Sequence, residues 1–110
     1  MIKSESAFET VADETLGDLF ENLEDALGEV ADVDLQGGIL TMELDAGGQY
    51  VINKHAPNRQ IWMSSPFSGA SHYDYAENQD AWIAARDGSN LLLRLAEELT
   101  KATGIPLTFG

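Results

Sequence analysis

Apolar residues recur at Phe8, Val11, Ala12, Leu16, Leu19, Phe20, Leu23, Ala26, Leu27 and Val30, the spacing of one buried stripe on an α-helix. A helix with one apolar side must lay that side against a second layer. Ser6 with Glu9 three residues on reads as a capping box at its start, and Gly28 marks its fraying end.

Short alternating segments follow. The pattern predicts strands at Asp32 to Leu35, Ile39 to Leu44, Gln49 to Lys54 and Arg59 to Ser64, with shorter ones at His72 to Tyr75 and Ala81 to Ala84. Gln36-Gly37-Gly38, Asp45-Ala46-Gly47-Gly48 and His55-Ala56-Pro57-Asn58 are turns. Connections this tight imply an antiparallel meander. A second helix begins after Asp87-Gly88-Ser89, with Leu91, Leu92, Leu95, Ala96, Leu99 and Ala102 as its buried stripe. Lys101, Gly104 and Pro106 end it, and Leu107-Thr108-Phe109 packs back between the helices. The order of helix, strands, helix predicts an α+β two-layer sandwich with both helices on one face of the sheet. No repeat or linker divides the chain, so residues 1–110 read as a single domain.

The charge narrows the partners. Nineteen acidic side chains against six Lys and Arg give a formal net charge of −13. A phosphate backbone needs a basic footprint, so nucleic acid is excluded, and so is attraction to anionic membranes. No stretch is apolar for long enough to span a bilayer. There is no cysteine, hence no disulfide, no thiolate metal site and no sulfur chemistry on the chain itself. Met-Ile-Lys-Ser-Glu-Ser resembles neither a secretory signal nor an Arg-rich transit peptide. The expectation is a protein that works where it is made, or one whose targeting segment has been removed.

Much of the acid lies early. Glu5, Glu9, Asp13, Glu14, Asp18, Glu21, Glu24, Asp25, Glu29, Asp32 and Asp34 fall within the first 34 residues, with Lys3 the only cation among them. Helical geometry gathers the helix carboxylates opposite the apolar stripe. Several stand at i, i+4, where like charges each cost a few tenths of a kcal/mol. A solubilising face and a functional ridge are the two readings; the absence of interleaved lysines favours the ridge. Carboxylates suit hard cations such as Fe(III), Mg²⁺, Ca²⁺ and Mn²⁺, and to a lesser degree Fe(II). Neither an EF-hand loop nor a Glu-x-x-His pair is present, so such sites would be exposed and weakly held.

Strand alternation supplies a second surface. Ile61, Met63, Tyr50 and Ile52 should face the helices, leaving Gln60, Trp62 and Asn53 on the open side. The opposite register would bury Gln60 and Asn53 at a cost. An outward tryptophan among polar neighbours suits an interface anchor. His55 reads as a solvated turn residue and His72 as a surface side chain, with assistance to metal or partner binding as the minor alternative.

Tyr50-Val51-Ile52-Asn53-Lys54, Pro57-Asn58, Gln60-Ile61-Trp62, Ser64-Ser65-Pro66, Ser68-Gly69 and Tyr73-Asp74 together resemble the signature region of the frataxin family. Trp82 with Asp87-Gly88, the Ala96-Glu97-Glu98-Leu99 helix and Glu14-Thr15-Leu16 extend the likeness to nearly the whole chain. The resemblance implies a helix–sheet–helix sandwich that binds ferrous and ferric iron weakly along an acidic ridge. By position that ridge is Asp13, Glu14, Asp18, Glu21, Glu24, Asp25, Glu29, Asp32 and Asp34. It also implies docking on the cysteine desulfurase and iron–sulfur scaffold through Asn53, Arg59, Gln60 and Trp62. His72 stands where relatives often carry Arg, His55 where many have Gln, and Tyr75 where Trp is common. If that Arg grips a partner carboxylate or backbone, His72 would do so less well and in a pH-dependent manner.

The chain shows no nucleophile–base–orienter set and no phosphate loop, and it cannot carry a persulfide. The expected role is therefore a monomeric regulator of cluster assembly, not an enzyme, in the bacterial cytoplasm or, after presequence removal, the mitochondrial matrix. The alternatives are iron storage with ferroxidase activity in iron-driven oligomers, and an acidic ion-buffering domain with no specific partner.

Overall fold

The computed structural model describes residues 5–109, with the side chain of Glu5 excepted. Lys3 lies outside them. Helix α1 spans Glu5–Leu27. Its buried stripe is Phe8, Ala12, Leu16, Leu19, Leu23 and Leu27, with Val11, Phe20, Ala26 and Val30 packed half-buried at the margins. Ser6 is not the cap that the sequence suggests: it is already helical, and its carbonyl accepts the Thr10 hydroxyl at 3.0 Å. The helix closes where Gly28 donates its N–H to Glu24 O at 3.0 Å. A Cβ at Gly28 would lie 2.6 Å from that same oxygen, so this closure requires glycine.

Six strands follow: β1 (Ala31–Gln36), β2 (Ile39–Leu44), β3 (Gln49–His55), β4 (Gln60–Ser65), β5 (Gly69–Ala76) and β6 (Ala81–Ala84). They form one sheet in the order β1 to β6, every neighbouring pair antiparallel. The meander is as the turns predict, with three local corrections. His55 belongs to β3, not to the following turn, which is a 3₁₀ turn at Ala56–Asn58. Arg59 sits outside the strand in a left-handed conformation (φ 51°), so β4 starts at Gln60. β5 has eight residues, twice the predicted length.

Helix α2 (Leu91–Thr103) is capped by Asn90, whose side chain accepts the N–H groups of Leu92 and Leu93. Gly104 ends it in the left-handed region with φ 75°. Both helices cover one face of the sheet, against Leu40, Met42, Tyr50, Ile52, Ile61, Met63 and Tyr73. Trp82 joins this core, donating its indole N–H to Thr15 Oγ1 at 2.9 Å and meeting Phe8 edge to face. Ile105, Leu107 and Phe109 of the tail pack half-buried on the same core.

One polar lock fastens α2 to the sheet. Glu98 Oε1 accepts the Tyr50 hydroxyl at 2.8 Å and the Ser65 hydroxyl at 2.6 Å. Ser65 Oγ in turn accepts the N–H groups of Phe67 and Ser68, which shapes the β4–β5 turn. Partial burial pushes the Glu98 carboxyl up, but hydrogen bonds from Ser65, Ser68 and Tyr50 outweigh it and hold the group below its ordinary value of 4.5. Its stabilising contribution is thus complete above the ordinary glutamate range and is lost as pH falls through the lower folded value. Glu98→Ala should lower the unfolding free energy by about 2 kcal/mol. Urea denaturation at neutral pH checks this, and the deficit should shrink once pH drops below 4.5.

Candidate functional site

Asp13, Glu14, Asp18, Glu21, Glu24 and Asp25 are all exposed along α1, and Glu29 is exposed in the turn after it. They form the single-sign edge that the sequence predicts, with one amendment. Lys54 of β3 reaches across to α1, its Nζ 2.9 Å from Asp13 and 3.3 Å from Glu9. The hydrogen bond to Asp13 raises the lysine's pKa, keeping it charged. Among the described residues, Lys54 is the only lysine or arginine in ion-pair distance of an α1 or β1 carboxylate. The N-terminal end of the ridge is therefore partly neutralised and the remainder is not.

Asp32 and Asp34 belong to a different surface. On β1 they alternate with Ala31, Val33 and Leu35, which pack on the core, so they point to the open side of the sheet. Glu43 on β2 pairs directly with Asp32, a like-charge cross-strand pair that sequence reasoning missed. Among the described residues, no three Asp, Glu or His side chains converge on a point that would hold a metal ion. The donor chemistry suits hard cations, but each carboxylate offers its oxygens separately.

The open face carries a row of residues in register: Gln36, Ile39, Asn53, Trp62 and His72, each the cross-strand partner of the next. Trp62 stands outward in this row between Asn53 and His72, as the alternation predicts. His55 stacks on one side of the indole, with centroids 3.7 Å apart and planes 9° apart. His72 stacks on the other at 4.1 Å and 13°. The indole N–H donates to Gln60 Oε1 at 2.9 Å, and Gln60 Nε2 donates to Asp74 Oδ1 at 3.1 Å. Asn53 donates to the Lys54 carbonyl at 3.2 Å. Ile39, 48% exposed, adds an apolar neighbour to the row.

His55 is thus not a solvated turn residue. It is half-buried, and its Nδ1 is buried without a hydrogen-bond partner. His72 is exposed, as expected, but its ring face is occupied by the indole. Arg59 is exposed beside Gln60. Tyr75 donates its hydroxyl to Asp80, a bond that pushes the phenol up to about 12. Asp74 and Ile39, both missed in the sequence, could have been found from register alone. The two-residue turn Gly37-Gly38 forces Gln36 opposite Ile39, and alternation then sets every outward residue.

The model of the frataxin-like domain family matches residues 1–105. The chain is 42% identical over 106 residues to the mitochondrial frataxin homolog of Schizosaccharomyces pombe, covering 93% of this chain and 67% of that protein. It is 36% identical over 100 residues to the iron–sulfur cluster assembly protein CyaY of Thioalkalivibrio sulfidiphilus, covering 89% and 92%. The chain spans between about half and two thirds of the length of the first mitochondrial relatives it matches, 53% in the shortest case. Among solved structures, the frataxin of Psychromonas ingrahamii superposes with a TM-score of 0.86 at 28% identity, covering 98% of this chain and 99% of that one. The trimeric frataxin of Saccharomyces cerevisiae, complexed with ferrous iron, gives 0.77 at 36% identity, covering 94% and 89%.

If Lys54 neutralises one end of the ridge, a paramagnetic divalent ion such as Mn²⁺ should broaden the Glu9 and Asp13 signals less than those of Asp18 to Asp25. Lys54→Gln should level the two regions, raising occupancy near Asp13 by about threefold, as a cation several ångströms away in water-like surroundings dictates. The same substitution should change stability by no more than about 1 kcal/mol, read by urea denaturation.

Proposed function

This chain belongs to the frataxin family, and on that premise we propose that it is an iron-binding regulator of iron–sulfur cluster assembly. In this reading it docks on the cysteine desulfurase–scaffold complex and modulates sulfur transfer and iron delivery. The observation that carries it is Trp62, an indole held upright on the uncovered face by two stacked imidazoles and a hydrogen bond to Gln60. A large aromatic fixed in place outside the core is an anchor awaiting a partner surface.

The division of labour follows from the side chains. Without cysteine the chain holds no persulfide, so the sulfur chemistry stays on the partner. Trp62, Asn53 and Gln60 contact the scaffold, with Arg59 and His72 at the margin. Glu14, Asp18, Glu21, Glu24, Asp25 and Glu29 carry iron as a loosely held cargo or meet basic patches of the desulfurase. Asp13 shares its charge with Lys54 and contributes less. Asp32, Asp34 and Glu43, outward on the docking side, bring carboxylates next to the partner contact. The name of the Thioalkalivibrio relative and the ferrous complex of the yeast relative support both halves of this reading. In this reading the compartment is the bacterial cytoplasm or the mitochondrial matrix, which the occurrence of both mitochondrial and bacterial relatives supports.

A second reading has one observation behind it: the yeast neighbour bound to ferrous iron is a trimer. Storage by iron-driven assembly predicts that iron with oxygen shifts the chain to large species in size-exclusion chromatography. A strictly monomeric elution under those conditions rejects storage.

Trp62→Ala should abolish the effect on desulfurase turnover while costing about 1 kcal/mol of stability, because the indole packs outside the core. Turnover that responds to the variant as to the wild type would reject the anchor. Fe(II) should broaden the amide signals of Glu14 to Glu29 and of Asp32 and Asp34, while scaffold protein shifts Asn53 to Ser64. Broadening spread evenly over the whole surface would count against a ridge.

A further inference from the structure

A cavity of about 710 Å³ lies on the helix side of the sheet, between the middle of α1, the β5–β6 hairpin and the C-terminal tail. That is the size of an ordinary small-molecule site. Its walls are of two kinds. Tyr75, Trp82 and Phe109 supply ring surface, beside aliphatic side chains of both helices. Glu14, Asp18 and Glu21 of α1 supply carboxylates, and Asp80 in the β5–β6 turn supplies a fourth. Among the described residues that line it, none is basic.

The rings are fixed in place. Trp82 gives its indole N–H to Thr15 of α1, and Tyr75 stands 5.2 Å from it at 54°. Tyr75 is half-buried, with its hydroxyl given to Asp80. That bond, then burial, then the charges of Asp80, Glu77 and Glu14 push the phenol up to about 12. Carboxylates from α1 and from the β5–β6 turn thus bear on one ring. The α1 carboxylates stand in a row on one helix face, at i, i+4 and i+7. The helical rise separates them by about 6 Å and then about 4.5 Å. All three are exposed, and among the described residues none has a lysine or arginine in ion-pair distance.

A single metal ion does not answer to these walls. It needs oxygens that converge, which these do not, and it has no use for aromatic surface. An elongated organic cation answers to both. Ammonium groups set three or four methylenes apart match carboxylates about one helical turn apart, roughly 6 Å. Ring faces attract ammonium groups, and apolar walls cover methylene stems. We propose that this cavity binds a linear aliphatic polyamine. Its ammonium groups meet Glu14, Asp18, Glu21 and Asp80, and its methylenes lie against Tyr75, Trp82 and Phe109. The inference goes beyond the docking reading, because the cavity is on the helix side while Trp62 stands on the open side. It shares Glu14, Asp18 and Glu21 with the proposed iron ridge, so polyamine and iron exclude each other there.

Spermine titrated into the ¹⁵N-labelled chain at fixed ionic strength tests this. It should move the amide signals of Glu14 to Asn22, Tyr75 and Asp80 and the indole N–H of Trp82, and leave the indole N–H of Trp62 in place. Tyr75→Leu should weaken spermine roughly two- to fivefold, the worth of one cation–π contact. The same variant should leave Mn²⁺ broadening of Glu14 to Asp25 unchanged. Asp18→Asn, at an exposed position where the fold is not at stake, should weaken both ligands by about threefold. Putrescine, too short to span the carboxylate row, should bind about tenfold more weakly than spermine. A Trp82 indole that does not move, or spermine held by Tyr75→Leu as tightly as by the wild type, overturns the proposal and leaves a solvated acidic edge. So does Mg²⁺ at the same ionic strength producing the same shifts at Tyr75 and Trp82. Desulfurase and scaffold enter no arm of this experiment, so its outcome and that of the Trp62→Ala test stand apart.

Discussion

Two helices cover only one side of the six-stranded sheet, and that one-sided burial decides what every strand residue can do. Phe8, Leu16, Leu23 and Leu27 of α1, with Leu91, Leu95 and Leu99 of α2, press on Leu40, Met42, Tyr50, Ile52, Ile61 and Met63. Each fully buried aliphatic side chain contributes on the order of 2 kcal/mol relative to exposure. The register is therefore strongly fixed, because a one-residue slip of β4 would bring Gln60 and Trp62 inward and expel Ile61 and Met63. The open face is the necessary complement of the core. Its residues stand in a row because the buried ones do.

Where periodicity governs, the sequence was an adequate guide. Both helices, the antiparallel meander, the inward Tyr50, Ile52, Ile61 and Met63, and the outward Trp62 all follow from spacings of 3.6 and 2. Where contacts cross between distant segments it was not. Nothing local tells Lys54 that Glu9 and Asp13 lie above it, since the contact depends on how α1 crosses the sheet. Glu43 meets Asp32 only once the hairpin register is known. Pro57 close by suggests a turn at His55, yet the 3₁₀ turn takes Ala56–Asn58 and leaves His55 at the strand end. From there its ring covers the indole diagonally across the β3–β4 pair. Ser6 failed as a cap for a simpler reason: a Ser-x-x-Glu pattern also occurs inside helices.

The acidic set splits for the same geometric reason. The α1 carboxylates lie on the helix layer, while Asp32, Asp34 and Glu43 lie on the open side of the sheet. A run that looks continuous in sequence thus spans two surfaces. The α1 portion is solvated, so its mutual repulsion costs little in water and is screened further by salt. That is compatible with stability and with loose cation capture, and incompatible with a rigid chelate, for which the side chains would have to converge.

The stack around Trp62 bears on affinity as well as position. A free surface indole must give up rotamer freedom when a partner binds, at about 0.5–1.5 kcal/mol for each side chain immobilised. Here that freedom is already restricted by His55, His72 and the bond to Gln60, which is itself tied to Asp74. A partner docked there, as proposed above, would draw on the full contact energy of the indole edge. The same contacts explain how the unbound protein tolerates a tryptophan on an open sheet: both ring faces are covered by imidazoles and the N–H is satisfied, so little apolar area meets water. This arrangement of three rings depends on β3, β4 and β5 keeping the register that the core imposes.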